Sequence, residues 1–153
     1  MSRLVRTLDR TAAGTALILV LTLTTAAACA THVTQHQGVQ VAISVHAALA
    51  AIDDAELLVA GAGLITPAEH AAVSPVILRA LRAGQALDAS VRVWPADGAV
   101  TRANLSAITS ALGDLATAVS AFASPSAQTR VQSAIVAAQS ALLLVSVTLL
   151  GGS

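Results

Sequence analysis

"LSAITSALGDLATAVSAF", residues 105–122, carries apolar side chains at Leu105, Ile108, Leu112, Leu115, Val119 and Phe122, in steps of three, four, three, four and three. That alternation averages 3.5 residues and keeps one stripe of a helix turned toward a partner, as in coiled coils and helix bundles. A half-buried strand would alternate with a period of two, and no such pattern appears in the stretch. The segment predicts an amphipathic helix that packs on other helices.

Reading outward, Thr101 stands as a helix cap, with Val100 before it and Leu105 placed to fold back as a hydrophobic staple. This sets a helix at 102–122. After it, Ser124 and Pro125 give a cap and a first-turn proline, and the seam resumes at Val131, Ile135, Ala138, Leu142, Val145 and Leu149, predicting a helix at 125–150. Upstream, "ITPAEH" (65–70) combines Thr66 as cap, Pro67 at the first helical position and Glu69 three residues on, a capping box. Val73, Ile77, Ala80, Gly84, Leu87, Val91 and Trp94 then mark a helix over 67–94, stopped by Pro95. A further seam at Val45, Leu49, Ile52 and Val59 predicts a helix over 39–60, closed by Gly61 or Gly63.

Four helices joined by short turns make sequential neighbours antiparallel. The fold class is all-α: an N-terminal signal segment followed by an up-down-up-down antiparallel four-helix bundle spanning 39–150. Of 153 residues 56% are hydrophobic but only 1% aromatic, so small and aliphatic side chains must fill that core. One cysteine cannot staple the domain internally. Eight basic residues, all of them arginine, balance eight acidic ones. No basic stripe suited to nucleic acid results.

The N-terminus has a different grammar. Arg3, Arg6 and Arg10 precede an uncharged run, Thr11 to Ala30, that ends in small residues, the layout of a secretory signal. "AAAC" (26–29) resembles the bacterial lipobox, although Ala26 stands where that motif usually has leucine. The resemblance implies cleavage after residue 28, lipid on Cys29, and a tether over 29–38. Two other routes suit the same residues: cleavage at an Ala-x-Ala site made by Ala26 and Ala28 or by Ala28 and Ala30, and an uncleaved anchor of roughly 20 residues, enough to span a bilayer. With its helix layout, the chain resembles the small helical lipoproteins of bacteria and prophages, a group of unassigned activity. The resemblance implies export and membrane anchoring on the periplasmic or extracellular side. It transfers no active-site residues.

Residues able to carry chemistry are few. Glu56 continues the first seam and His70 the second, and a turn near Gly63 sets them opposite each other. We expect a hydrogen bond or ion pair there that fixes register; the same pair suits acid–base work or half of a metal site. His32 and His36 share a helical spacing but have no third ligand beside them. "IDDAE" (52–56) lacks the glycine-bearing loop of a calcium site. Arg79 and Arg82, one turn apart, suit an anionic head group or a solvated face, and Asp88 and Arg92 an i,i+4 pair. "GAG" (61–63) is not a dinucleotide fingerprint, and neither a Walker loop nor a Gly-x-Ser-x-Gly elbow occurs. We therefore expect no catalytic residue, no metal and no cofactor.

Val131 to Leu150 is free of charge, and of its polar residues all but Thr148, namely Gln132, Ser133, Gln139, Ser140 and Ser146, repeat at sevens as a narrow stripe. Val136, Leu143, Leu144 and Leu150 fall outside the minimal seam. They are expected to be covered by neighbouring helices, by another copy or envelope protein, or by lipid. The functional expectation is a non-enzymatic structural or protein-interaction module. The alternatives are a membrane-active protein inserting its last helix, and a metal-binding or small bundle enzyme.

Overall fold

The computed structural model describes residues 34–93 and 96–150. The signal segment, Cys29, His32, Trp94 and Pro95 lie outside the described residues, as does the side chain of Leu150. Four helices follow one another: α1 Gln35–Gly61, α2 Pro67–Arg92, α3 Gly98–Ser120 and α4 Pro125–Leu150. No strand occurs among the described residues. Each helix packs on two others, in the ring α1–α2–α3–α4–α1, and no diagonal pair approaches closely. That is an up-down-up-down bundle.

The seam runs through all four helices. Gly38, Ala42, Val45, Leu49, Ile52, Glu56 and Val59 are the buried residues of α1, and Val73, Ile77, Ala80, Gly84, Leu87 and Val91 those of α2. In α3 the row is Thr101, Leu105, Ile108, Leu112, Leu115 and Val119, with Phe122 just beyond the helix. In α4 it is Ala127, Val131, Ile135, Ala138, Leu142 and Val145, and Leu149 is only half buried. Steps of three and four persist along each row, as the knobs-into-holes packing of antiparallel bundles requires. Every Leu, Ile or Val fully withdrawn from water contributes about 1.5–3 kcal/mol, so a core with Phe122 as its one aromatic among the described residues is still adequate.

Two helix starts differ from the sequence reading. α1 begins at Gln35, inside the segment assigned to a tether over 29–38 and before the expected start at 39. The cause is a capping box: Thr34 Oγ1 accepts from Gln37 N at 3.3 Å and Gln37 Oε1 from Thr34 N at 2.9 Å. α3 begins at Gly98, not 102, because Asp97 is the cap, its Oδ1 accepting from Ala99 N at 2.7 Å and Val100 N at 3.3 Å. An ionised carboxylate suits the positive helix N-terminus better than a hydroxyl. Thr101 is instead a seam residue, 2% exposed, and Val100 is exposed rather than a staple. α2 ends at Arg92, short of 94.

Turn chemistry closes the other junctions. At the end of α1, Gly63 has φ 67, and Gly63 N and Leu64 N donate to Ala60 O and Val59 O, both at 2.9 Å. This double bond pattern with a left-handed residue is a Schellman motif. Thr66 and Glu69 form their capping box, and Glu69 Oε1 also accepts from Ala123 N at 2.7 Å, tying the start of α2 to the α3–α4 turn. At the opposite end, Gln35 Nε2 donates to Arg92 O at 2.8 Å.

Two mid-helix glycines have opposite surroundings. A Cβ on Gly84 would lie 2.8 Å from Leu49 Cδ1, whereas one on Gly113 meets nothing within 4 Å. We predict that Gly113→Ala raises stability by about 0.5–1 kcal/mol, the helix-propensity gain, while Gly84→Val lowers it by about 1–3 kcal/mol through overpacking. Urea unfolding of both variants checks this; a stabilised Gly84→Val would mean that α1 and α2 do not pack closely there.

Candidate functional site

Two places on the bundle differ from an ordinary aliphatic core. The first is polar. Glu56 occupies a seam position of α1 and is 1% exposed, while His70, in the first turns of α2, is 43% exposed. The turn around Gly63 folds the helices so that His70 Nδ1 lies 2.6 Å from Glu56 Oε1. With the glutamate ionised, Nδ1–H donates to the carboxylate and this single bond gives the buried charge a partner. Ser74 Oγ donates to His70 O at 2.9 Å and lies 3.4 Å from the same Nδ1. A serine–histidine–acid relay needs serine and acid on opposite ring nitrogens. These three side chains are therefore not arranged as one.

Among the described residues, no three of His, Cys, Asp or Glu gather as a metal site would require. His36 stands exposed in the first turn of α1. Asp53 is half buried and Asp54 exposed, with no ion pair among the described residues. Arg79, read as a candidate head-group ligand, is engaged with Asp114 of α3 at 3.2 Å. Arg92 Nε bonds Asp88 Oδ2 at 2.7 Å, and that hydrogen bond raises the already high pKa of the guanidinium.

The second place is apolar. Val136, Leu143 and Leu144 are 55%, 68% and 45% exposed, and Val147 is 71% exposed. Val147 was missed from sequence, though its position one turn past Leu143 was the available signal. Beside this strip, the α3–α4 edge has the least close backbone approach of the four. A groove of about 410 Å³ opens there between Arg102, Leu105, Ser106, Thr109 and Leu112 of α3 and Gln139, Leu142, Leu143 and Ser146 of α4. A shallower hollow of about 360 Å³ continues along α4 at Thr129, Gln132, Ser133 and Val136.

The helix phases explain the opening. On this edge α3 presents Arg102 and then Ser106, Thr109, Gly113 and Ala116, the last four too short to cover Leu142 and Leu143. On the closed α1–α4 edge the flanking positions are Ala48 and Ala55 against Ala134 and Ala141, which allow close approach. Leu142 and Leu105 remain 7% and 6% exposed at the groove floor. The apolar floor of the bundle is thus reached from outside at this edge, where the flanking residues of α3 are short.

Comparisons with protein-family models, curated proteins and solved structures return no match to this chain.

Two predictions concern the polar end. His70→Ala leaves the Glu56 carboxylate buried without its partner and is expected to cost about 1–3 kcal/mol. Glu56→Leu fills a seam position with an apolar side chain and is expected to be neutral or stabilising. Urea unfolding at pH 7 separates the two, and equal losses would contradict this asymmetry. For Glu69, hydrogen bonds from the Thr66 and Ala123 backbone hold its carboxyl below the ordinary value of 4.5. Folding therefore favours the ionised form: its contribution is whole above pH 4.5 and is lost as pH falls through the lower, folded value. Glu69→Gln should flatten the acid limb of a stability–pH curve, and an unchanged limb would contradict that role.

Proposed function

We propose that the chain is an exported, lipid-anchored helical module of a bacterial cell envelope that works through protein contact rather than catalysis. The leader supports export: three arginines, an uncharged run and small residues precede Cys29 in the order that secretion and lipid attachment require. The observation that carries the contact reading is the bare α4 strip, Val136, Leu143, Leu144 and Val147, on a helix without charge from Val131 onward. Apolar surface of this continuity marks an interaction site on a soluble domain. Glu56 and His70 are assigned to register, since their one hydrogen bond runs between the two seams that it aligns.

A second reading is favoured by one observation. Pro125–Leu149 is long and apolar enough to cross a membrane, and most of its apolar part is not buried within the bundle. A membrane-active protein would insert this helix. Against it stands the stripe of Gln132, Gln139 and Ser146, whose polar groups would have to be desolvated in hydrocarbon. Among the described residues, no geometry favours a metal carrier or bundle enzyme built on Glu56, His70 and His36.

Intact mass and N-terminal peptide analysis of the chain expressed in a bacterium tests the anchor. The expected product starts at Cys29 and carries lipid; an unmodified chain starting at Thr31 would sink the anchored reading. Carbonate extraction of Cys29→Ser, in material whose leader is shown to be removed, tests insertion. Release is expected, and retention in the membrane would instead support the inserted helix.

A further inference from the structure

We infer that the α4 strip and the groove beside it form a self-association face, on which a second copy of this chain packs with its own α4 antiparallel. This rests on the protein-contact reading above but not on the lipid anchor. The argument begins with charge. Between Val131 and Leu150 there is none, so the face offers nothing to steer or select an oppositely charged partner. A two-fold interface sets each residue against its own kind or its symmetry mate, and like charges near the axis would repel. The α4 strip meets that condition without compensation, and Arg102 is the one charged residue lining the groove beside it.

Its polar groups fit the same geometry. Gln139 is an exposed residue whose amide both donates and accepts hydrogen bonds, so it can pair with its own copy across an axis beside it, and Ser140 Oγ, which donates to Val136 O, can still accept there. Arginine or aspartate could not pair with its own copy. An axis passing between Gln139 and Ser140 sets Val136 of one copy opposite Leu143 of the other, twice, and Gln132 opposite Val147. The contact then runs over 132–147, about 24 Å of helix at 1.5 Å per residue. Apolar residues lie on both sides of a polar centre that specifies register.

The area is of the right order. Val136, Leu143, Leu144 and Val147 together leave apolar surface on the order of 400 Å² bare, the size at which a patch marks an interaction site. A stable dimer needs about 800 Å² from each partner. The row of Gln132, Gln139 and Ser146 and the adjoining groove wall extend the contact beyond the strip. A bilayer suits the face less well, since hydrocarbon returns no hydrogen bonds to the glutamines.

The test uses the full chain with Cys29→Ala, so that an introduced thiol is the only one. Sedimentation at tens of micromolar should show a dimer, and Leu143→Arg should weaken it at least tenfold while leaving the thermal midpoint unchanged at dilutions where both proteins are monomeric, because Leu143 is 68% exposed and outside the core. Under mild oxidation Ser140→Cys should form a disulfide-linked dimer, and Ser110→Cys, exposed on α3, should not. A monomer at these concentrations, a dimer indifferent to Leu143→Arg, or preferential cross-linking through Ser110→Cys overturns the inference. A monomer whose wild-type form is still lipidated at Cys29 overturns self-association alone. A dimer made by a chain never lipidated at Cys29 overturns only the anchor.

Discussion

The bundle depends on one repeating constraint: each helix must present an apolar or small side chain to the centre at alternating steps of three and four, without a missed beat. The rows from Ala42 to Val59, Val73 to Val91, Leu105 to Val119 and Val131 to Val145 all keep the spacing, with Glu56 the one departure in residue type. Two helices in contact tolerate a gap, because a neighbouring side chain can lean in. Four helices in a ring have no spare neighbour, since the diagonal pairs do not approach. With one phenylalanine and one tryptophan in the whole sequence, large side chains cannot bridge a gap either. The regular spacing of Leu, Ile and Val does what bulk does elsewhere.

The one ionisable side chain admitted to that row, Glu56, shows how narrow the allowance is. A carboxylate 1% exposed among aliphatic residues requires a partner, and the only seam position facing it across the hairpin is that of His70. The pair sits near the α1–α2 turn, where the imidazole still reaches water. The same position in mid-bundle would desolvate both members. Its location therefore follows from solvation, and its effect is to make one register of α1 against α2 cheaper than a neighbouring one.

Much of this could be read from sequence because it is local or symmetric. The seams need only spacing. The Thr66–Pro67–Glu69 start needs three residues. The meeting of Glu56 and His70 needs only that the hairpin turn near Gly63, which lies midway between them. What escaped was contact between segments far apart or competition between nearby signals. Asp97-Gly98 reads as a turn, and Thr101 as a cap, until it is clear that Thr101 continues the seam of Leu105 backward by four. Glu69 reads as a capping residue, while its second oxygen serves Ala123, 54 residues away. The open α3–α4 edge was hidden for a related reason: periodicity assigns residues to the core but does not say which neighbour each flank will meet.

That edge also accounts for the composition of α4. A helix covered on both flanks can be apolar all round, and one exposed on its outer face is ordinarily charged there. α4 is neither: its α1 side is closed by alanines, its α3 side opens onto serine, threonine and glycine, and its outer surface carries valine and leucine in place of arginine or glutamate. Water alone does not favour such a surface, and the core does not require it, since the seam is complete without Val136, Leu143, Leu144 and Val147. Lipid would suit the aliphatic residues, but it leaves Gln132 and Gln139 without hydrogen-bond partners. A protein surface that is itself aliphatic, uncharged and capable of amide pairing satisfies both requirements, and α4 presents such a surface.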